Sequence, residues 1–299
     1  MSIRNIAAVI LLFVAAPFFT VCMTKAEEQE PKKSAETLYR LGCNYFYGIG
    51  TLENKSEAVK YWKKAAEKGH AKAQYNLSQC YGMGSGVSKD DQEAVKWCRL
   101  AAQQGYADAQ FSLGSCYGYG IGVDKDAQEA VKWFRLASQQ GHAKAQFCLG
   151  VCYNNGYGIT KDAQEAVKWY RKAAKQGEAS AQYNLGNCYR SGEGIEKDLN
   201  EAVRWYRKAA EQGLAQAQFN LGVCYYTGDG VPKDLSKAIQ WCRKAADQGY
   251  AEAQFSLGIS YRDGDGVEKD KEKAVEWFRK AAQQGYEPAI DALKELGEE

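Results

Sequence analysis

Cysteine is the residue type with the most chemical potential in this chain of 299 residues, which contains ten of them. Five lie at successive intervals of 36 residues, and two others each follow one of those five by 18 residues. The regular set is Cys80, Cys116, Cys152, Cys188 and Cys224, and the additional two are Cys98 and Cys242. Cysteines at fixed spacings can form disulfides, bind a metal or serve as small apolar core residues.

The disulfide hypothesis rests on the two pairs that are 18 residues apart. Cys80 with Cys98, and Cys224 with Cys242, could each face one another across a helical hairpin. Loss of Cys22 with an N-terminal signal would leave nine cysteines, so at least one would have no intramolecular partner. The alternative is that cysteine acts here as a small hydrophobic residue. The sequence leaves both interpretations open.

Metal binding and catalysis find less support in the residues present. Cys148 and Cys152 share a helix face, but no histidine lies near them in sequence. The two histidines, His70 and His142, occupy equivalent positions and are predicted to be surface turn residues. The chain has no Ser-x-x-Lys, Gly-x-Ser-x-Gly or His-Glu-x-x-His motif, and its repeated Gly-x-Gly lacks the rest of a nucleotide-binding loop. We therefore expect no enzyme activity, no metal and no cofactor.

These residues are positioned by a 36-residue unit that repeats seven times without an insertion. The period is clearest in two grids, one of tryptophans and one of glycines: Trp97, Trp133, Trp169, Trp205, Trp241 and Trp277; Gly69, Gly105, Gly141, Gly177, Gly213, Gly249 and Gly285. Self-similarity of this length indicates a stacked array in which each unit buries its apolar face against its neighbours. Because no strand pattern is found, the predicted fold is an all-α solenoid of helix-turn-helix repeats.

The second unit, residues 71–106, illustrates why two helices are expected in each repeat. Its first half places four residues on one helical stripe: Ala73, Leu77, Cys80 and Tyr81. Gly84 and Gly86 then end this helix, because glycine adopts left-handed backbone angles without steric cost. Asp90 is the predicted N-cap of the second helix, and Glu93 completes a capping-box pattern. Glycines inside the first helices of other units, such as Gly186, are expected to let the two helices approach closely.

The N-terminal residues 1–26 differ from the repeats and are expected to be a secretory signal peptide. Residues 6–21 are almost wholly apolar, and small residues precede a plausible cleavage position before Glu27. An uncleaved membrane anchor is the alternative, because the apolar stretch is marginal for spanning a bilayer. Residues 27–34 are predicted to be a disordered lead-in. The signal predicts a secreted or periplasmic protein with no membrane span after cleavage.

The repeats then occupy residues 35–286. Their boundaries are 35–70, 71–106, 107–142, 143–178, 179–214, 215–250 and 251–286. Residues 287–299 are predicted to form a C-terminal capping helix, in which Asp291 replaces the Phe or Tyr of other units. The net charge of +2, from 39 basic and 37 acidic residues, gives no indication of nucleic-acid binding.

The repeated motif resembles that of the Sel1-like repeat family, a relative of the tetratricopeptide repeats. The stretch A-x-A-Q-[YF]-x-L-G-x-x-Y-x-x-G-x-G-[VI]-x-K-D, followed by A-V-x-W and A-A-x-x-G, recurs almost intact in the five units from residue 107 to 285. The resemblance covers residues 35–299 and implies a right-handed superhelix that serves as an adaptor for other proteins. A cysteine-rich bacterial branch of the family carries disulfides between helices, but its cysteines lie on either side of the inter-helix turn, unlike those of this chain.

The residues that vary between units are the predicted partner-binding positions, because the repeat does not fix them. They lie on the first helices, mostly near their ends: Tyr119, Asn154, Asn155, Asn187, Arg190, Tyr226 and Arg262. A row of rings on the same helices either lines a concave trough or packs between repeats: Tyr75, Phe111, Phe147, Tyr183, Phe219 and Phe255. Leu100 and Leu136 replace a Lys or Arg of other units and could form a small apolar contact patch.

Together these features predict an exported, non-enzymatic scaffold that binds a peptide, protein or envelope partner on its concave face. The rival hypothesis is a hydrolase or binding protein for cell-wall or β-lactam compounds, as implied by the cysteine-rich relatives. A third possibility is a structural envelope component without a specific ligand.

Overall fold

The computed structural model describes residues 33–298, and within them it contains fifteen α-helices and no β-strand. The signal peptide expected at residues 1–26 and most of the lead-in expected at residues 27–34 lie outside the described residues. The helices are α1 Ala35–Tyr47, α2 Lys55–Glu67, α3 Ala71–Met83, α4 Asp91–Gln103, α5 Ala107–Tyr119, α6 Ala127–Gln139, α7 Ala143–Asn155, α8 Ala163–Lys175, α9 Ala179–Ser191, α10 Leu199–Glu211, α11 Ala215–Thr227, α12 Leu235–Asp247, α13 Ala251–Asp263, α14 Lys271–Ala282 and α15 Glu287–Glu295.

Each 36-residue unit is a pair of helices, and the pairs are stacked in sequence order. Each odd-numbered helix from α1 to α13 packs against the even-numbered helix that follows it, and that helix in turn contacts the next odd-numbered one. The core is shared between units, since one cluster joins Val167 of α8 to Leu185 of α9. The prediction of an all-α solenoid with seven helix pairs is therefore confirmed. We call the odd-numbered helices first helices and the even-numbered ones second helices.

The last helix, α15, closes the array as the sequence predicts. Its Ala289 and Leu293 are buried against the last repeat, whereas Asp291 is exposed. A polar outer face is what a terminal unit requires, because no further repeat covers it.

Aspartates cap the second helices from α4 to α14, and Asn54 caps α2, but the capping box predicted at Asp90 forms only by half. Asp90 Oδ1 accepts hydrogen bonds from the backbone N–H groups of Gln92 and Glu93, both at 3.0 Å. Glu93 does not return the contact, because its carboxylate pairs with Lys96 at 2.7 Å. The Asp90 N–H instead donates to the carbonyl of Tyr81 on α3, at 3.0 Å. The N-cap thus also fixes the second helix to the first.

The two glycines of each Gly-x-Gly have separate functions. The first, such as Gly156, caps the first helix in the left-handed conformation, with φ of +69°. The second, such as Gly158, also has a positive φ of +68°. A methyl group on Gly158 would overlap with the carbonyl oxygen of Ala127, at the start of α6 in the preceding unit. The second glycine is therefore a contact between successive repeats.

A buried glutamine in each of the six first helices from α3 to α13 provides a second link between repeats. Gln182 of α9 is 4% exposed, and its Nε2 donates to the carbonyl of Ala174 in α8 of the preceding unit, at 3.1 Å. Its Oε1 accepts a hydrogen bond from Gln212 Nε2 at 2.8 Å. The same arrangement recurs at Gln74, Gln110, Gln146, Gln218 and Gln254. The glutamine of the A-x-A-Q motif thus satisfies a helix C-terminus in the repeat before it.

Replacing Gln182 by Leu is expected to lower the free energy of unfolding by about 2 kcal/mol, because the Ala174 carbonyl and Gln212 each lose a hydrogen bond. Urea denaturation followed by circular dichroism measures this change. Gln164 is exposed on α8 and provides the control, since the same substitution there should change stability by no more than about 0.5 kcal/mol. Equal effects at both positions would refute the role assigned to Gln182.

Candidate functional site

The cysteines are core residues, and the structure does not support the disulfide hypothesis. All nine cysteines of the described residues are free thiols, including the proposed pairs Cys80 with Cys98 and Cys224 with Cys242. The physical reason is the direction of the side chains: Cys98 Sγ donates to the Ala109 carbonyl and Cys242 Sγ to the Ala253 carbonyl, each at 3.3 Å and each in the next repeat. Burial raises the pKa of Cys98 and of Cys242 to about 12, so both thiols remain protonated and unreactive at neutral pH.

The histidines were wrongly predicted to be surface turn residues. His142 is the N-cap of α7, and its Nδ1 accepts a hydrogen bond from the Ala145 N–H at 3.1 Å. Its Nε2 lies 3.2 Å from Asp108 Oδ1, and its ring stacks on Phe111 with centroids 4.8 Å apart. His70 makes the equivalent contacts, with Nδ1 bonded to Ala73 N and Nε2 near Glu36. Both imidazoles connect adjacent repeats, and their nitrogens are engaged in structural contacts.

The row of rings on the first helices is half-buried and packs within the array. Phe255, for example, contacts Phe278 of α14 at 5.6 Å and Tyr286, the N-cap of α15, at 5.5 Å between centroids. This favours the packing interpretation over an open aromatic trough. Some of the rings are partly accessible: Tyr75 and Phe111 line a shallow cleft with Gln79 and Asp108.

The variable positions of the first helices line clefts between consecutive repeats. One cleft lies between α7 and α9 and has a volume of about 290 Å³. We call it the polar cleft, because its lining includes Asn154, Asn155, Asn184, Asn187, Ser191 and Glu193. Asn184, Asn187 and Ser191 share one side of α9, since residues three or four apart are neighbours on a helix. Tyr170 of α8 forms part of the same lining.

The polar cleft presents primary amides that are suited to a peptide backbone. Each asparagine offers a carbonyl acceptor and an NH₂ donor, the same groups that a peptide bond requires. Asn154 Nδ2 donates to Asn155 Oδ1 at 3.0 Å, so these two side chains are held together. Burial raises the pKa of the Tyr170 hydroxyl at the wall of the same cleft.

A second cleft occupies the equivalent position two repeats further along. It lies between α11 and α13, has a volume of about 220 Å³, and is lined by residues that include Phe219, Val223, Tyr226, Cys242, Ile259 and Asp265. We call it the apolar cleft. Val223, Cys242 and Ile259 correspond to Val151, Tyr170 and Asn187 of the polar cleft, by a shift of two units. The same backbone frame therefore carries two clefts of different chemistry.

Between the polar cleft and the apolar cleft, a hydrogen-bond network joins α9, α10 and α11. Tyr206 OH donates to Asn187 Oδ1 at 2.7 Å, and Asn220 Nδ2 donates to the same oxygen at 3.4 Å. Asn187 therefore serves as an anchor between units in addition to lining the polar cleft.

The structure brings together three of the seven predicted partner-binding residues and places a fourth at the other cleft. Asn154, Asn155 and Asn187 share the polar cleft, whereas Tyr226 lies at the apolar cleft. The remaining three line neither cleft. They are Tyr119, 79% exposed; Arg190, exposed; and Arg262, in an ion pair with Asp263 at 2.8 Å.

Sequence reasoning missed the contribution of the second helices. Cys242 of α12 and Tyr170 of α8 line the two clefts, and Asp265 follows α13 at the apolar cleft. The sequence contains one signal for them: the second-helix position that holds Trp, Phe or Tyr in five repeats holds Cys in the second and the sixth. Individual cysteine spacings do not contain this information.

Leu100 and Leu136 lie on the second helices and are 38% and 37% exposed. In later units the equivalent lysine covers a tryptophan, as Lys172 Nζ does 3.8 Å above the Trp169 ring. The leucines lack that charge, so units two and three present a more apolar second-helix face.

Residues 33–298 include no group of three or more His, Cys, Asp or Glu side chains placed to hold a metal ion. None of the helices within that range combines the length and the apolar character needed to traverse a lipid bilayer.

Comparison with known proteins supports the repeat assignment. The model of a family described as Sel1 repeat matches residues 35–70, 71–106, 107–142, 143–178, 179–214, 215–250 and 251–286. The chain is similar to c5321, a protective antigen of uropathogenic Escherichia coli strains with an SLR fold, at 37% identity and a TM-score of 0.81. That similarity covers 88% of this chain and 56% of the antigen.

A second solved structure is similar over most of its own length. The chain is 35% identical to a Sel1 repeat protein from Oxalobacter formigenes, with a TM-score of 0.73, and the match covers 88% of this chain and 76% of that one. No curated protein matches the chain.

Proposed function

Because this chain belongs to the Sel1 repeat family, whose members are generally protein-interaction scaffolds, we propose that it binds a peptide or protein partner in the clefts of its first helices. The proposed role is non-enzymatic, and the first helices are expected to form the concave side of the array. The observation that carries the proposal is that equivalent clefts on one repeated frame differ in chemistry. In a purely structural array, every cleft could keep the same lining residues. The differences between the clefts therefore favour a binding function.

The two clefts offer complementary means of holding an extended peptide. The polar cleft supplies amide donors and acceptors for the peptide backbone, while the apolar cleft can take an uncharged side chain. Repeat arrays present such sites at regular intervals along one surface. Binding at several sites on one chain increases affinity because the later contacts are intramolecular.

Photo-crosslinking in the native cell tests this assignment. A photoreactive amino acid at position 155, exposed at the polar cleft, should give specific adducts with a partner that mass spectrometry can identify. The same amino acid at position 168, which is exposed on α8, is the matched control and should give no such adduct. Identical adducts from both positions, or none from position 155, would contradict binding in the clefts.

Substitution then measures the contribution of the polar cleft. The double variant N154A/N155A is expected to weaken partner binding by at least about tenfold, equivalent to roughly 1.4 kcal/mol. Isothermal titration with the identified partner would show this change. The control variant K168A removes an exposed side chain from α8 and should leave affinity unaltered.

We also propose that the protein is exported by the signal at residues 1–26, which supports a partner in the envelope or outside the cell. Mass spectrometry of the protein from its native host should then find a mature chain that begins at Glu27. Recovery of a chain starting at Met1 from the membrane fraction would favour the uncleaved anchor instead.

A further inference from the structure

We propose that the apolar cleft is a pocket for the side chain of a phenylalanine supplied by a partner peptide. The inference rests on the proposed function, because it specifies the chemistry of one position at which the scaffold would hold its partner. Its basis is a ring-sized space that this chain fills with its own side chains in five other repeats.

In those five repeats, a glycine of the first helix faces an aromatic ring of the second. The pairs are Gly42 with Trp62, Gly114 with Phe134, Gly150 with Tyr170, Gly186 with Tyr206, and Gly258 with Phe278. A methyl group on Gly186 would lie only 2.7 Å from the Cδ1 and Cε1 atoms of Tyr206. The ring therefore lies directly on the glycine and fills the space between the helices.

The sixth repeat keeps the glycine but lacks the ring. Gly222 faces Cys242, and the atoms closest to a methyl group placed on Gly222 are backbone atoms of Ala238 and Cys242, from 3.1 Å outward. The cysteine side chain ends where the ring of the other units begins. Neither residue fills the space, and the apolar cleft lies at this position.

The second repeat also has a cysteine at the ring position, but it differs at the position of the glycine. There Ser78 takes the place of the glycine, and its side chain lies beside the Cys98 thiol. Ser78 is 3% exposed and also donates to the Tyr75 carbonyl at 2.8 Å. The serine side chain thus takes part of the volume that a ring would occupy. The combination of glycine with cysteine distinguishes the sixth repeat.

The dimensions and walls of the apolar cleft suit an aromatic ring. Its volume of about 220 Å³ exceeds that of an apolar protein cavity of about 150 Å³ that is known to bind benzene. Phe219, Val223 and Ile259 provide apolar walls. Tyr226, 41% exposed, donates its hydroxyl proton to Asp265 Oδ2 at 3.0 Å, and this hydrogen bond raises the pKa of Tyr226. The pair forms a polar edge that can meet the peptide backbone beside the inserted ring.

The lining favours phenylalanine over tyrosine and leucine. A ring that enters from the surface points its far end toward Cys242, which is 8% exposed and already donates its thiol proton to the Ala253 carbonyl. A tyrosine hydroxyl at that end would lose its hydrogen bonds to water, and this loss weakens binding. A branched leucine is thicker than the flat space that rings occupy above the equivalent glycines, and it makes poorer contact with the walls.

The binding test uses the full-length mature protein and three blocked peptides. These are acetyl-Gly-Phe-Gly-amide and the versions with Tyr or Leu at the centre. Methyl resonances of Val223 and Ile259 should shift saturably with the Phe peptide, and the Tyr and Leu peptides should bind at least about tenfold more weakly. Absence of saturable shifts, or equal binding of the Leu peptide, would overturn the proposal.

Two variants test whether the Phe peptide binds in the apolar cleft. C242F restores the ring found in other units and should abolish the shifts with no decrease in Tm, because the space is already present. I259N reproduces Asn187 of the polar cleft and should weaken binding of the Phe peptide without filling the space. Undiminished peptide binding by a folded C242F or I259N protein would overturn the assignment.

C98F is the matched control for packing. The same substitution in the second repeat forces a ring against Ser78 and should lower Tm by roughly 3–10 °C. Equal decreases in Tm for C98F and C242F would show that the sixth repeat has no spare volume, and this would also overturn the proposal.

The outcome is separable from that of the proposed function. If crosslinking at position 155 identifies a partner whose affinity C242F leaves unchanged, the scaffold function stands and the phenylalanine pocket is wrong. If the Phe peptide binds and C242F abolishes the binding, but position 155 gives no adduct, the pocket stands and the wider binding surface must be revised.

Discussion

Replacing Gly158 by Ala is expected to lower the free energy of unfolding by roughly 3–5 kcal/mol, the largest effect of a single methyl group that we expect in this array. Two costs combine at this position. The backbone has a positive φ of +68°, which a side chain disfavours by about 1–2 kcal/mol. In addition, the new methyl group overlaps with the Ala127 carbonyl of the preceding repeat, so the two units must move apart.

Substitution of Gly177 measures the conformational cost without the steric overlap. Its φ is +93°, but no atom lies within 4 Å of a methyl group placed on it. G177A should therefore lose only the conformational part, about 1–2 kcal/mol. Urea denaturation of both variants measures the difference, and a G158A protein no less stable than G177A would refute the stacking role of the second glycine.

Hydrogen exchange would show where the G158A array is weakened. Stability in a linear array is the sum of repeat terms and nearest-neighbour interface terms. Loss of protection should therefore be greatest near the contact between Gly158 and Ala127, in units three and four, and least in the terminal units. A uniform loss of protection along the chain would indicate a different cause of destabilisation.

Raising the pH above 9 is expected to destabilise the reduced protein steeply. Burial raises the pKa of Cys80, Cys152, Cys188 and Cys224 to about 11 and that of Cys98, Cys148 and Cys242 to about 12. In the unfolded chain a thiol ionises near pH 8.5. Between these values the unfolded state binds fewer protons than the folded state, so the free energy of unfolding falls as pH rises.

The sign and the window follow from the same shifts. The contribution of each buried thiol is fully present below about pH 8.5 and is lost as pH rises toward its folded pKa. Each thiol that ionises only on unfolding contributes a slope of about 1.4 kcal/mol per pH unit. The urea midpoint, measured with reductant present, should stay nearly level from pH 7 to 8 and fall between about pH 9 and 11. A triple variant, C80A/C188A/C224A, should show a shallower fall, and a midpoint that is constant up to pH 11 would rule out the buried-thiol explanation.

The sequence alone determined the helices, their ends and their order. A sequence that repeats every 36 residues places the same apolar stripe in each unit, and each unit buries that stripe against its neighbours. Leu77 and its equivalents are accordingly buried in the positions that periodicity predicts. The helix ends were equally predictable, because an aspartate such as Asp90 accepts hydrogen bonds from the N–H groups two and three residues after it. Such interactions join residues that are close in sequence, so the same residue types form them in every unit.

The interactions between repeats were harder to predict from the residue types. His142 was predicted to be a turn residue, yet it caps α7 and reaches Asp108 of the preceding unit. The Glu93 half of the capping box is missing because the Asp90 N–H has a tertiary partner, Tyr81. In each case a contact from another helix replaces the local one that the sequence pattern favours.

Only the tertiary structure distinguishes Cys98 from Cys242. In sequence the two are the same residue at the same place in the repeat, and each was an equally good disulfide candidate. In the structure Ser78 takes up space beside Cys98, whereas Gly222 leaves space beside Cys242. The volume of a cleft is the space that side chains from three packed helices leave unfilled. It therefore depends jointly on residues that are distant from one another along the chain.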